Sequence, residues 1–223
     1  MKLKQLSLNF IKLLASRKGP SKIRLHPYNS HEWFRGAYTT VQRTKPGGTP
    51  PSIQASVALL VFSNLPKIRA STFDSQFTKL IQIVANHGGF SAGQAQKLCS
   101  MLLKYHLIYY HTALDASWNR KNTWVRSLLA KAFIPLDSMV LFYGPLFYPE
   151  YFHRWIKTDA SYWNKWVIDA RVSWPRGARK FFPWSKLPID SIKPLQDIFR
   201  AIASTKGISP IELEMRELWR PPP

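Results

Sequence analysis

The chain has 223 residues, of which 32 are Lys or Arg and 12 are Asp or Glu, so its formal net charge is +20. Its hydrophobic content of 45% is ordinary for a globular protein and excludes a disordered tail. The apolar runs are too short for a membrane span, and the single cysteine, Cys99, excludes a disulfide framework. We therefore expect residues 1–223 to form a single compact domain in a reducing compartment such as the cytoplasm.

The distribution of charge along the chain predicts the kind of partner. Residues 1–136 contain 19 basic residues and only three acids, Glu32, Asp74 and Asp115. A polyanion that neutralises such a surface releases counterions and gains affinity, which makes nucleic acid the leading partner. An anionic membrane surface, bound through residues 1–18, is the weaker alternative.

Hydrophobic periodicity, caps and glycine stops predict a succession of helices and no strand pairs. The predicted helices cover residues 3–14, 52–63, 73–86, 93–110, 119–132 and a part of 149–170. The first is also typical of a mitochondrial presequence, because it is basic and lacks acids. Residues 18–52, which prolines and glycines interrupt, are expected to be irregular. Ser209, Pro210 and Glu212 have the pattern of a capping box. The fold class is therefore all-α.

The most informative stretch joins two of these helices. Gly88 and Gly89 end one helix, Gly93 lies in the short connection, and Lys97 follows about one turn inside the next helix, with Lys104 seven residues later on nearly the same face. The N–H groups of such a hairpin and helix N-terminus can bind a phosphate. Forty residues after Lys97 comes Ile-Pro-Leu-Asp-Ser, in which Asp137 opens another predicted helix.

This layout resembles the helix-hairpin-helix DNA glycosylases, and Gln96-Lys97 with the long interval to the aspartate resembles the archaeal 8-oxoguanine branch. The resemblance covers about residues 85–142 and implies a two-lobed fold with a cleft between the lobes. It implies that Lys97 attacks the sugar C1′, with possible strand cleavage as an AP-lyase, and that Asp137 is the essential carboxylate. The hairpin would bind the DNA backbone through Gly89, Gly93, Gln94, Gln96 and Lys104.

The sequence also departs from that family. The connection reads GGFSAGQ rather than glycine, apolar residue, glycine, and an insert with Trp118 and Arg126 lengthens the interval between Lys97 and the aspartate. A second Pro-x-Asp-Ser, at Asp190, is an alternative to Asp137. We favour Asp137, because it lies nearer to the lysine helix and the segment after it is apolar enough to be buried.

The chemistry of the residues supports the same pair independently. Burial and a cationic neighbour such as Lys104 would make the amine of Lys97 a better nucleophile. A fixed carboxylate would stabilise the positive charge that develops on the sugar as an N-glycosidic bond breaks. One amine and one acid suffice, so no cofactor is expected. The six histidines are scattered, and no metal site is expected either. The alternative for each residue is structural: a solvated surface lysine and a simple N-cap aspartate.

Aromatic and basic residues outside this stretch provide further candidates. Residues 171–186 mix cations with tryptophans, so Arg176, Arg179 and Lys180 could contact DNA phosphates while the aromatic rings stack on bases. Trp33 and Trp155 could wall the pocket of a flipped base. For the tryptophans the alternative role is core packing.

The sequence therefore predicts a monomeric, nucleoid-associated DNA glycosylase that binds double-stranded DNA and flips a damaged or modified base. The aromatic-rich departures would also suit a bulky modified base of phage DNA, which would make the protein an antiviral defence enzyme. The alternative is a basic nucleic-acid-binding protein without catalysis, associated with a ribosome or an organelle.

Overall fold

The computed structural model describes residues 3–16, 30–42, 48–112, 116–152 and 184–218. Within these ranges the chain is mostly helical and contains no strand, which confirms the predicted all-α class. In chain order, the α-helices are α1 (Leu3–Ser16), α2 (Ser30–Gln42), α3 (Pro51–Asn64), α4 (Phe73–Gly88), α5 (Ala92–Thr112), α6 (Ala116–Lys121), α7 (Trp124–Ser127), α8 (Ser138–Phe147), α9 (Ile189–Thr205) and α10 (Pro210–Leu213). Short 3₁₀ turns cover Leu65–Lys67, Ala70–Thr72 and Trp184–Lys186, and a π-helix covers Glu214–Leu218.

The long helix α5 is the centre of the fold. It packs against α1, α2, α4, α7 and α9 and against the 3₁₀ turn Trp184–Lys186. Almost every residue from Gly93 to Tyr109 is buried, as expected of a helix that other elements surround. Its polar side chains Gln96, Lys97 and Lys104 are therefore buried too, and each needs a partner inside the protein.

The connection between α4 and α5 is held by local hydrogen bonds. Gly89 ends α4 in the left-handed conformation, with φ of 60°, where a side chain would be strained. The N–H of Phe90 then bonds to the carbonyl of Ala85 at 2.9 Å. At the start of α5, the Ser91 hydroxyl accepts from the N–H of Gln94, and the Gln94 side-chain oxygen accepts from the N–H of Ser91, at 3.2 and 3.0 Å. This reciprocal capping box defines where α5 begins.

Two buried glutamines hold the extended segment that leads to α8. The Gln96 side chain donates to the carbonyl of Ile134 at 2.8 Å and accepts from the N–H of Leu136 at 3.1 Å. Gln196, on α9, donates to the same Ile134 carbonyl at 2.7 Å and accepts from the Ile134 N–H at 2.9 Å. The backbone just before Asp137 is thus attached to both α5 and α9.

Two predicted elements differ from the structure, and a third is largely untested. Residues 18–52 are not irregular throughout, because α2 lies within them and buries Trp33, Phe34, Ala37, Tyr38 and Val41 along one face. The helix expected over 119–132 is instead the pair α6 and α7, since the backbone turns at Asn122 and the Asn122 side chain accepts from the indole of Trp124. The helix expected within 149–170 lies largely outside the described residues. The capping box at Ser209 and Glu212 is confirmed.

We expect Gln96→Ala to lower the free energy of unfolding by about 2 kcal/mol, because it removes the partner of the buried Leu136 N–H and one of the two donors to the Ile134 carbonyl. Urea denaturation would measure the loss. Gln82→Ala, an exposed glutamine of α4, is the matched control and should change stability by less than about 0.5 kcal/mol. Equal effects of the two substitutions would contradict this account of the 134–136 segment.

Candidate functional site

The two residues predicted to carry the chemistry lie together in the structure. Lys97 Nζ is 3.4 Å from Asp137 Oδ2, although the residues are 137 − 97 = 40 positions apart. The two side chains are only 10% and 16% exposed. This partly buried ion pair, Lys97 with Asp137, is the candidate functional site.

The two carboxylate oxygens of Asp137 have different partners. Oδ1 accepts from the N–H groups of Met139 and Val140 at 3.0 and 3.1 Å, so Asp137 is the N-cap of α8. Oδ2 faces the amine of Lys97. Asp137 is therefore the N-cap of α8 and the partner of Lys97 at once, because the cap fixes the carboxylate in the orientation that presents its second oxygen to the lysine.

The amine of Lys97 is also held by groups from two other elements. It donates to the carbonyl of Thr40, in α2, at 3.3 Å, and it lies 4.4 Å from the centroid of the Trp184 ring. A carboxylate, a carbonyl oxygen and an aromatic face all attract a cation. The amine is thus in contact with groups from three different parts of the chain.

The 3₁₀ turn that supplies Trp184 is attached to the N-terminus of α5. The Ser91 hydroxyl donates to the carbonyl of Ser185. A side chain at Gly93 would collide with the carbonyl of Trp184, so glycine is needed there for the close approach of two backbones. The N-terminus of α5 is consequently covered by protein.

A second, more deeply buried ion pair lies further along α5. Lys104 Nζ is 2.5 Å from Glu214 Oε2, across 110 residues of sequence, and the two side chains are 1% and 3% exposed. The ring of Phe10 lies 4.3 Å from the same amine. Glu214, the first residue of the π-helix, was not predicted from the sequence. The one available signal was that a lysine inside an apolar helix needs an acid, and that most acids of the chain follow Asp137.

The two pairs act on each other electrostatically. Burial raises the pKa of the Glu214 carboxyl above its ordinary value, and the adjacent Lys104 opposes that effect. The nearby Asp137 raises the pKa of Glu214 further, and Lys97 lowers it. Lys97 and Asp137 thus contribute to the electrostatic environment of Glu214.

The hairpin residues do not form the expected phosphate site. Gly89 is exposed at the end of α4, whereas Gly93 is buried below Trp184 and Gln94 belongs to the capping box. Gln96 is fully buried on the 134–136 segment, and Lys104 is buried against Glu214. The expectation that Gln96 and Lys104 contact DNA is therefore wrong, because neither side chain reaches the surface.

The remaining predicted site residues divide into three groups. Trp33 is 2% exposed and packs edge-on against Tyr105 and His106, so it belongs to the core and not to the wall of an open base pocket. Asp190 is exposed in the first turn of α9, and Asp137 is the acid that meets Lys97. Trp155, Arg176, Arg179 and Lys180 lie outside the described residues.

The chain was compared with protein-family models, curated proteins and solved structures. None of them matches it. Within the described residues, no three side chains of His, Cys, Asp or Glu come together as a metal site. No helix among those residues has the length and apolar character needed to cross a membrane.

We expect Asp137→Ala to destabilise the protein by about 1 kcal/mol more than Asp137→Asn. Both substitutions remove the negative charge that faces Lys97, but asparagine still caps α8 and alanine does not. Thermal or urea denaturation of the two variants would measure the difference. Equal stability of the two variants would mean that the Asp137 cap contributes nothing to α8.

Proposed function

We propose that the protein is a DNA glycosylase that cleaves the N-glycosidic bond of a flipped base, with Lys97 as nucleophile and Asp137 as the carboxylate beside it. The observation that supports this proposal is the Lys97–Asp137 pair: an amine and a fixed acid in contact, in a setting with little water. The net charge of +20 suits a polyanionic substrate.

The proposed reaction uses only these two groups. Asp137 Oδ2 accepts a proton from the ammonium of Lys97, and the freed amine attacks C1′ of the nucleotide. The bond between C1′ and the base breaks, its electron pair leaves with the base, and Asp137 gives the base the proton that it took from Lys97, so that Asp137 is a carboxylate again. The nitrogen of Lys97, now bonded to C1′ and positively charged, passes a proton to Asp137. The bond between C1′ and the ring oxygen O4′ then breaks, its electron pair stays on O4′, and Asp137 protonates O4′. The product is a protonated Schiff base between Lys97 and C1′, which water hydrolyses or which precedes strand cleavage. While it is ionised, the Asp137 carboxylate stabilises the positive charge on the sugar and on the Schiff base.

The proposal assigns separate tasks to the contacts of the site. The backbone N–H groups of α8 hold Oδ1 of Asp137, so its other oxygen is free to exchange a proton with Lys97. The ring of Trp184 lies 4.4 Å from the amine and offers an aromatic surface for a base attached to C1′. The buried position of Lys97 limits competing reactions with water.

We further propose that the enzyme is a monomer with a two-lobed helix-hairpin-helix arrangement and that it acts on double-stranded DNA in the nucleoid. Because the N-terminus of α5 is covered by the Trp184–Lys186 turn, binding of the DNA backbone is assigned to other basic residues. A bulky modified base, such as those of phage DNA, is retained as a candidate substrate beside oxidised purines.

A second candidate function is nucleic-acid binding without catalysis. The observation that favours it is the enclosure of Lys97 by Asp137, Thr40 and Trp184, which a purely structural ion pair would also display. The two candidates differ in one outcome, namely whether a covalent bond between Lys97 and DNA can form.

We expect sodium borohydride to trap a covalent complex between the wild-type protein and at least one duplex from a panel of damaged and modified bases. Lys97→Ala should abolish trapping and retain DNA binding, because the nucleophile is lost and the surface charge is nearly unchanged. Asp137→Asn should lower the trapping rate at least about 100-fold while the α8 cap is kept. Gel electrophoresis of the reduced complex measures trapping.

Two variants are the matched controls for this experiment. Lys79→Ala removes an exposed lysine of α4, and Asp190→Asn neutralises the other Pro-x-Asp-Ser motif; both should trap at the wild-type rate. Salt-dependent DNA binding with no trapping on any duplex would reject the glycosylase and leave the non-catalytic binder.

A further inference from the structure

The helices α6 and α7 and the segment that follows them carry basic side chains and no acidic ones. Residues 116–136 contain Arg120, Lys121, Arg126 and Lys131 but neither Asp nor Glu. All four basic residues are exposed. Among the residues that the structure describes, no carboxylate forms an ion pair with any of the four. This part of the surface therefore carries positive charge that ion pairs do not compensate.

Three of the four cations lie close together in the sequence, and the fourth lies near an acid. Lys131 lines a pocket that Asp74 also lines, so we leave it out. Asp115, the acid that precedes the segment, lies outside the described residues. The basic patch, as we call it, consists of Arg120, Lys121 and Arg126.

The inner side of the same segment attaches the basic patch to α5. Val125 is fully buried, and the ring of Trp124 lies 5.7 Å from the ring of His106, between centroids. The Asn119 side chain donates to the carbonyl of Tyr110 at 3.1 Å. The backbone that carries the three cations is therefore fixed before any ligand arrives, which lowers the entropic cost of binding one.

The turn between α6 and α7 keeps the three cations near one another. The N–H of Val125 bonds to the carbonyl of Asn122 at 3.0 Å, and the N–H of Arg126 bonds to that of Thr123 at 3.1 Å. At the rise of about 2 Å per residue typical of such turns, the backbones of Lys121 and Arg126 are about 10 Å apart at most. Double-stranded DNA carries one negative charge per about 1.7 Å of its axis, so several phosphates fall within that distance.

The chemistry of the basic patch favours a polyanion of this kind. Two of its three cations are arginines, whose planar guanidinium groups form paired hydrogen bonds with phosphate oxygens. The exposed Thr123, between them, adds a hydroxyl that can donate to the same oxygens. In a chain with a net charge of +20, a polyanion that neutralises the patch also releases counterions and thereby gains affinity.

We propose that Arg120, Lys121 and Arg126 form a binding surface for the phosphate backbone of double-stranded DNA. This inference rests on the DNA binding of the proposed function and not on the covalent chemistry of Lys97. It assigns backbone contacts that the covered N-terminus of α5 does not make. Because contacts with phosphates carry no information about the bases, the surface binds without sequence preference.

The test measures how salt affects the binding of the full-length protein to an undamaged DNA duplex, by fluorescence anisotropy. Each phosphate contact contributes about 0.9 to the slope of log Kd against log salt concentration. The triple variant Arg120→Gln/Lys121→Gln/Arg126→Gln should therefore lower that slope by about 2 to 3. At 0.1 M salt its affinity should fall on the order of 100-fold.

A second triple variant, Lys67→Gln/Arg69→Gln/Lys79→Gln, is the matched control. It removes three exposed cations before and within α4, so both variants lower the net charge from +20 to 20 − 3 = +17. The control loses long-range attraction but no proposed phosphate contact, and its slope should fall by less than about 1. The comparison therefore separates local contacts from the effect of net charge.

Each outcome decides the inference and is distinct from the outcome for the glycosylase. Equal losses of slope in the two triple variants, or a wild-type slope in the patch variant, would overturn the surface, as would a wild-type protein that does not bind the duplex. If the patch variant does not fold, its three single substitutions decide, each with an expected loss of about 0.9. A selective loss without borohydride trapping would support the surface and reject only the glycosylase. Trapping with equal losses would do the reverse.

Discussion

The burial of two lysines in the central helix is the constraint on which the arrangement of the molecule depends. A buried ammonium is tolerated only when a carboxylate and hydrogen-bond acceptors surround it. Lys97 and Lys104 each meet this condition with an acid from a distant part of the chain, Asp137 at the start of α8 and Glu214 after α10. The positions of α8 and of the C-terminal π-helix near α5 therefore depend on the two lysine charges of α5.

The neutral amide side chains of Gln96 and Gln196 fix the backbone that carries Asp137. Asp137 can face Lys97 only if the backbone before it has a defined course, and Gln96 and Gln196 provide that course by bonding the peptide groups of residues 134–136 from two sides. A fully satisfied polar network of this kind specifies one geometry, because each missing partner would leave a buried group unpaired. The position of the carboxylate is thus determined by α5 and α9 together, and the cap of α8 adds the final orientation.

The features that the sequence predicted correctly depend on near neighbours. The stop at Gly89, the extent of α5 and the capping box at Ser209 follow from residues within a few positions of each other, and the all-α class follows from their repetition along the chain. The contact between Lys97 and Asp137 was expected from a resemblance of motif order and from the chemistry of an amine and an acid, and the structure agrees with that contact. Periodicity alone could not have indicated it.

What the sequence did not predict depends on tertiary packing. Lys104 resembles a surface residue because its partner Glu214 lies 110 positions away and no motif links the two. From the sequence, Gln94 and Gln96 were expected to contact DNA as part of a hairpin. In the structure Gln94 belongs to a capping box and Gln96 bonds to a buried backbone segment. The Trp184–Lys186 turn covers the N-terminus of α5. Trp33 could line a pocket or fill a core with equal plausibility, and only the ring contacts with Tyr105 and His106 distinguish these roles.

The state of the Lys97 proton separates the two proposed functions. Within the described part of the chain the amine of Lys97 contacts the Asp137 carboxylate, the Thr40 carbonyl and the Trp184 ring, all of which attract a cation. As an ammonium, Lys97 can only neutralise an anion, whereas as an amine it can form a bond to carbon. A nucleophilic role therefore requires that the proton pass to Asp137 at the moment of attack, and the one oxygen of that residue not bonded to α8 is the oxygen that faces the amine. Because Oδ1 is bonded to α8 and Oδ2 faces Lys97, the proton could pass directly from the amine to Oδ2.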